Sequence, residues 1–265
     1  MYSDTHLHTE FSGDSITSVK AQIQQAVSLG MKSICITDHH DHDVISDTDF
    51  ELNLDAYLPF LTQMQKTYAD KIRIDIGIEL GLQIHIKEYL EKLTKTYPFD
   101  YVLGSCHFID GLDPYFPSYF EGRTEEEGYR RYFEVTLNRV KHMDCFDCLG
   151  HLDYVVRYGP NKNQNYCYTD YQEVIDEILK TLIAKEKGLE CNTGGYKYGL
   201  GHPNPCEDIL IRYRKLGGEI ITIGSDAHAP EHVGYDFQRA GEVLKECGFR
   251  YYTVFRQRKP VFQKL

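Results

Sequence analysis

The chain reads as an α/β protein: one TIM-like barrel of seven β/α units spanning residues 1–265 as a single domain. Three observations predict this. Short runs rich in apolar and β-branched residues recur along the whole sequence, and several are apolar nearly throughout, as parallel strands buried on both faces require. Segments of helical periodicity separate them, with no linker or low-complexity tract. A length of 265 residues suits one such barrel.

The elements follow in order. YSDTHLH (2–8) is the first strand. SVKAQIQQAVSLG then places Val19, Ile23 and Val27 on one helical face and stops at Gly30, a C-cap. KSICIT (32–37), IRIDIGIE (72–79), FDYVLGSC (99–106) and DCFDCLG (144–150) are strands two to five. YQEVIDEILKTLIAKEKG repeats the amphipathic design, with Val174, Ile178, Leu182 and Ile183 inward and Gly188 closing. Thr169 and Asp170 are its expected N-cap. GLECNT (188–193) is strand six, and EDILIRYRKLGG ends in a glycine pair before EIITIGS (219–225), strand seven. RYYTVF (250–255) is one strand too many for a seven-stranded barrel and is expected to close or flank it. Two irregular excursions, 110–128 and 157–170, have the length of lids or binding loops.

Composition narrows the function. With 42% hydrophobic and 26% charged residues the chain is ordinary for a globular protein, and a net charge of −11 argues against a nucleic-acid or membrane surface. MYSDTHLH has no secretory signal, no apolar stretch approaches the roughly 20 residues of a membrane span, and the cytoplasm is the expected location. The eight cysteines are expected to be thiols. Cys145 and Cys148 form a C-x-x-C without the second pair a zinc ribbon needs, and are expected in a buried strand.

The chemistry-bearing residues cluster at strand ends. His6 and His8 end the first strand, Asp38 and His39 follow the second, and Glu79 ends the third. His107, His151, and the pair Asp226 and His228 follow the fourth, fifth and seventh. In a parallel barrel these ends share the face where active sites form. His6 and His8 are two apart on a strand, so they point to the same side and can chelate one ion; Asp226 and His228 repeat the spacing. A lone strand-end histidine is usually a packed or solvated residue, but placement at six strand ends is hard to obtain by accident. His85, His142, His202 and His232 rank lower, while His42 in TDHHDHD is near enough to face the pocket. Imidazole and carboxylate donors without a thiolate favour Zn, Mn or Fe, and the set exceeds the needs of one ion. Two or three divalent ions are implied, with Glu79 and Asp226 suited to bridging. Clustered ions acidify a bridging water and hold a tetrahedral anion for in-line attack, so metal-assisted hydrolysis of a phosphate ester is the expected reaction class.

THLHTEFSGD, ITDHH, GIELG, LGSCHFIDG, LGHLDYVVRYGP and IGSDAH together resemble the PHP (polymerase and histidinol phosphatase) superfamily, in order and across essentially the whole chain. GSCHFIDG and FDCLGHLDYVVRYGP resemble its histidinol-phosphate phosphatase branch. The resemblance implies a distorted (β/α)7 barrel with a trinuclear metal centre at the C-terminal ends of its strands. His6, His8, Glu79 and Asp226 would hold the first ion; Glu79 would bridge to a second held by His107 and His151. Asp14, His39 and His228 would hold the third, Asp14 filling a position that is often histidine in relatives. A metal-bridging hydroxide held by Glu79 and Asp226 would attack phosphorus. Arg157 and Lys197 would bind the phosphate, with His42 as a further substrate contact; either a metal-bound water or His42 would protonate the leaving alkoxide. Asp38 would orient a ligand imidazole or cap a strand end. The implied substrate is L-histidinol phosphate, hydrolysed in histidine biosynthesis, its imidazole and ammonium facing loops 110–120 and 153–171. Rival readings are a PHP phosphoesterase acting on nucleotides, nucleic-acid ends or phosphotyrosine, and a non-catalytic metal-binding module. An amidohydrolase-type barrel would need a strand-end lysine, which is not seen.

Overall fold

The structure is a computed structural model and describes residues 2–265. Seven parallel strands form the barrel wall in the order β1 (Asp4–Leu7), β2 (Ser33–Ile36), β4 (Arg73–Gly81), β5 (Tyr101–Ser105), β6 (Cys148–Leu149), β7 (Gly188–Asn192) and β8 (Ile221–Gly224). The two-residue β3 (His39–His40) continues the run of β2 and pairs with the end of β4, setting His39 opposite Glu79. The wall closes where His8 N–H donates to Ala227 O and Asp226 N–H donates to His6 O, both at 3.0 Å. This closure brings the first and last metal-type motifs side by side.

Helices α1 (Val19–Ser28), α2 (Leu54–Thr67), α3 (Lys87–Thr96), α4 (Glu125–His142), α5 (Gln172–Ala184), the short α6 (Gly194–Lys197), α7 (Glu207–Lys215) and α8 (Phe237–Glu246) lie between the strands. Alternating side chains give the strands two buried faces. Ile34, Ile36, Ile74, Ile76 and Ile78 belong to the large core that also holds the apolar stripes of the helices, while Cys35, Tyr101, Leu103, Cys148 and Phe255 form a separate small cluster. All eight cysteines are free, and Cys145 and Cys148 are buried. No helix among the described residues is long and apolar enough to cross a membrane.

Four local expectations are corrected. DCFDCLG yields only the two-residue β6, because most of it is an irregular approach to the wall. Gly188 does not close α5 but opens β7, where an added Cβ would lie 2.4 Å from Cys148 Sγ; the left-handed turn after α5 is made by Glu186, φ 56°. Thr169 and Asp170 lie in a 3-10 turn before α5 and give it no side-chain cap. Finally, α5 is rotated from its predicted face: Ile175, Ile178, Leu179 and Leu182 are buried, while Val174 and Ile183 are only partly covered.

The surplus strand is a stopper. β9 (Tyr251–Arg256) pairs antiparallel with β10 (Lys259–Lys264) as a hairpin outside the wall. Phe255 stacks on Tyr101 at 5.1 Å, and Arg258 donates to Asp147 and to Cys145 O. These partners precede or begin strands, so the hairpin seals the N-terminal end of the barrel.

Candidate metal centre

At the opposite end, six strand termini aim imidazoles and carboxylates at one point. Glu79, near the end of β4 and fully buried, occupies its middle. Its Oε2 lies 2.9 Å from His39 Nδ1, 3.2 Å from His6 Nε2 and 3.5 Å from His8 Nε2. Its Oε1 lies 3.0 Å from His151 Nε2 and 3.3 Å from His107 Nε2. Asp226 closes the ring, its Oδ1 3.4 Å from His8 Nε2 and 3.7 Å from both His6 Nε2 and His228 Nδ1. Asp14 reaches in from the loop after β1, with Oδ2 3.0 Å from His228 Nε2 and 3.6 Å from His39 Nε2. The structure thus gathers His6, His8, Asp14, His39, Glu79, His107, His151, Asp226 and His228. His39 differs in emphasis from its expected grouping, since it sits closer to Glu79 than to Asp14.

Second partners orient these rings. His6 Nδ1 lies 2.7 Å from Glu190 Oε1, and His107 Nδ1 lies 3.0 Å from Asp41 Oδ1. Ser12 spends its proton on Asp38 at 2.8 Å, so the 3.1 Å bond to His8 Nδ1 has the imidazole as donor. In each case Nδ1–H is held and the Nε2 lone pair is turned inward, the arrangement metal-ligating histidines require. Asp38 therefore orients His8 through Ser12 and ties down the loop through Thr9 N and Oγ1. An added Cβ at Gly81 would lie 2.0 Å from Asp41 Oδ1, so only glycine leaves room for that carboxylate.

The donor set fits cations. Glu79 Oε2, His39 Nδ1 and His151 Nδ1 are buried and accept or donate no hydrogen bond, although nitrogens crowd the first of them. His6 Nε2 and His8 Nε2 face each other at 2.9 Å. Uncompensated buried groups of this kind are costly. Protonation is one relief: burial opposes charge on His6, but Glu190, Glu79 and Asp226 outweigh it and raise its pKa well above normal. Asp41 and Glu79 likewise overcome burial to push His107 up to about 10. His8 goes the other way, kept neutral by burial and by His228 and His39. Burial works against the charge on Glu79 too, yet His6, His39 and His107 hold it ionised. Divalent ions satisfy the same lone pairs without protons.

A cavity of about 570 Å³ opens onto this cluster. Arg157 and Lys197 both line it. Arg157 does not present a free fork: Nη1 pairs with Asp226 Oδ2 at 2.8 Å, Nε donates to Asn204 and Nη2 to Asn192. It lies between the rings of Tyr154 and Tyr198. Lys197 Nζ makes one bond, to Asp226 O at 3.2 Å, and burial lowers its pKa.

His42 is not among the residues lining the cavity. It lies 2.5 Å from Glu51 Oε1 and stacks on Tyr89 at 4.0 Å, so it is not placed to contact substrate or protonate a leaving group. The neighbouring trio of His40, His42 and Glu51 is no metal pocket either. His40 Nδ1 accepts from Leu52 N–H, and its Nε2 bonds Tyr89 OH. Conversely, Glu190, Asp41, Ser12 and Asn192 were not anticipated, and His232, ranked low, lies at the cavity wall. Glu190 had a signal: Glu190 and Asn192 share one side of an otherwise apolar strand, the same two-residue spacing as His6 and His8.

A parallel barrel whose C-terminal strand ends converge nitrogen and carboxylate donors on a cavity defines the class of barrel metallohydrolases. The chain belongs to the PHP domain family, whose profile matches residues 4–194. It is 33% identical over 256 residues to the histidinol-phosphatase of Lactococcus lactis subsp. lactis, covering 95% of this chain and 93% of the relative. A probable histidinol-phosphatase of Clostridium acetobutylicum is also 33% identical, over 94% of this chain and 95% of its own length. The crystal structure of histidinol phosphate phosphatase from Lactococcus lactis, complexed with zinc, L-histidinol and phosphate, superposes with a TM-score of 0.92 at 32% identity. It covers 98% of this chain and 100% of that one.

Proposed function

We infer that this chain is a phosphoric monoester hydrolase that converts L-histidinol phosphate to L-histidinol and phosphate in histidine biosynthesis. One observation carries the chemistry: five imidazoles converge on the two oxygens of Glu79, and one of those oxygens is buried without a hydrogen bond. The substrate follows from full-length similarity to histidinol-phosphatases, one of them complexed with L-histidinol and phosphate.

His6, His8, Glu79 and Asp226 are suited to one divalent ion, His107 and His151 with Glu79 to a second, and Asp14, His39 and His228 to a third, as zinc, manganese or iron. Bound ions would supply Lewis acidity and a nucleophilic water near neutral pH. The chain's own residues do the rest. Glu190, Asp41 and the Ser12–Asp38 pair lock imidazole tautomers. Arg157 and Asn192 hold Asp226 in place, and the charges of Arg157 and Lys197 favour the phosphate dianion at the cavity floor.

Phosphate release by metal-loaded protein from L-histidinol phosphate, set beside nucleotides, phosphotyrosine and simple phosphomonoesters, tests this reading. Histidinol phosphate should be clearly preferred by kcat/KM; preference for a nucleotide or phosphotyrosine would move the chain to another PHP activity.

A further inference from the structure

The seam between the first and last barrel strands carries four of the proposed metal donors, His6 and His8 on one side and Asp226 and His228 on the other. Little backbone pairing holds it. Leu7 and Ala227 form an isolated bridge, with His8 N–H donating to Ala227 O and Asp226 N–H to His6 O. Past that bridge, the carbonyls of His8 and His228 accept no backbone N–H among the described residues. Side chains from the segment after β1 take them instead. Gln22, on α1 and fully buried, donates from Nε2 to His8 O at 2.8 Å and to Ala227 O at 2.9 Å. Thr17 Oγ1 and Ser15 Oγ donate to His228 O at 2.7 and 3.1 Å.

The chemistry of the position calls for a primary amide. Its single nitrogen carries two N–H donors, one for each carbonyl. The reverse orientation would set Oε1 against two carbonyl oxygens, so the amide has one allowed sense. In that sense Oε1 is buried and has no hydrogen-bond partner. A methionine or leucine would fill the same space without that cost, so packing does not explain the residue. Ala227 O already accepts His8 N–H, and its bond to Gln22 adds position rather than rescuing an unpaired group.

We propose that Gln22 is a positioning residue for the metal centre: its amide acts as an extra rung between the first and last strands and sets the spacing of His6 and His8 against Asp226 and His228. This rests on the metal-dependent reading of the site. Both ends of the rung adjoin proposed ligands. His8 is one itself, and Ala227 lies between Asp226 and His228. The rings of His8 and His228 stack at 4.1 Å, and His8 Nε2 lies 3.4 Å from Asp226 Oδ1, so these donors meet across the seam. A slip of the last strand would carry Asp226 and His228 together away from His6, His8 and Asp14. Glu79, His107 and His151 belong to β4 and to the ends of β5 and β6, farther round the wall, and do not depend on the rung.

Gln22→Met keeps the reach of the side chain and removes both donors. Metal affinity is read by competition with a chelator, and cobalt(II) serves as a spectroscopic probe of the donor set. Ions that draw on both sides of the seam should bind about 10-fold more weakly in the variant, with the visible cobalt bands shifted, while an ion at Glu79, His107 and His151 keeps its affinity. With L-histidinol phosphate, kcat should fall about 10-fold and KM stay within about threefold. Ile23→Val trims the apolar face of the same helix and should leave metal affinity and the cobalt spectrum unchanged. Gln22→Asn, an amide one methylene too short to reach both carbonyls, should behave as the methionine variant does, and it decides the matter if that variant does not fold. Unchanged metal affinity and cobalt spectrum in a folded Gln22 variant would overturn the proposal. So would failure of both Gln22 variants to fold, or an equal loss in Ile23→Val, either of which makes Gln22 a stability residue. A rise in KM at constant kcat would make it a substrate contact and overturn the proposal too. A wild type that binds no divalent ion is a separate result and overturns the metal-dependent reading instead.

Discussion

At the N-terminal end of the barrel, the buried Asp147 and the half-buried Asp100 have conventional partners. Asp147 accepts Val102 N–H and the guanidinium of Arg258, and Asp100 accepts the N–H groups of Ile76 and Gln257. At the C-terminal end, Glu79 is surrounded by five imidazoles with no arginine or lysine paired to it. Both ends bury acids of the same kind. At one end Arg258 and backbone N–H groups satisfy the acids and cement a hairpin to the wall; at the other, imidazoles crowd the acid, and protons or divalent ions complete the bonding. The contrast separates burial that stabilises the fold from burial that stabilises chemistry.

Four substitutions probe that contrast, from the largest expected effect to the smallest. His151→Ala should cost several kcal/mol of transition-state stabilisation, a fall in kcat of about a thousandfold or more, without loss of the folded circular-dichroism spectrum. Full activity in the folded variant would take His151 out of the site. Metal analysis of the wild type should give more than one divalent ion per chain, and a single ion would sink the multinuclear arrangement.

Glu190→Gln frees the His6 tautomer while leaving every proposed ligand in place. Metal affinity should drop about 10- to 100-fold by competition with a chelator. Lowering the pH should weaken metal binding in both proteins, because His6, His39 and His107 have pKa values raised above normal and protons compete for their lone pairs. An affinity unchanged in the variant would reduce Glu190 to a packing residue.

Arg258→Met is the matching probe at the other end. It leaves Asp147 buried without its cation and should lower urea stability by about 1–3 kcal/mol, with kcat within about twofold of wild type. A large loss of activity at full stability would break the division of labour between the two ends. The smallest effect is expected from His42→Ala, where kcat/KM for histidinol phosphate should change by less than about threefold, because the ring is engaged with Glu51 and Tyr89. A hundredfold fall would return His42 to the substrate.

Much of the metal end was legible because its rule is local. Strand residues two apart share a side, and ligand-type residues after apolar runs must gather at one end of a parallel barrel. His6, His8, Asp226 and His228 follow from that alone. Glu190 obeyed the same alternation but lay inside a strand rather than at its end, where a lone acid looks like an anomaly and not a partner. The misplaced positions depended on distant neighbours. Gly188 has no local reason to open a strand; its reason is Cys148 on the adjacent one.

The amino-acid sequence by itself determined the strand–helix alternation, the end of the barrel that carries the chemistry, and the donor types available there, since these rest on side-chain period and composition. Only the tertiary structure decided which nitrogen of each histidine turns inward, that Arg157 is already held by Asp226, and that His42 faces away. Those outcomes depend on where particular side chains meet in space, some between near neighbours such as His8 and Ser12 and others 184 positions apart such as His6 and Glu190, and no local periodicity encodes them.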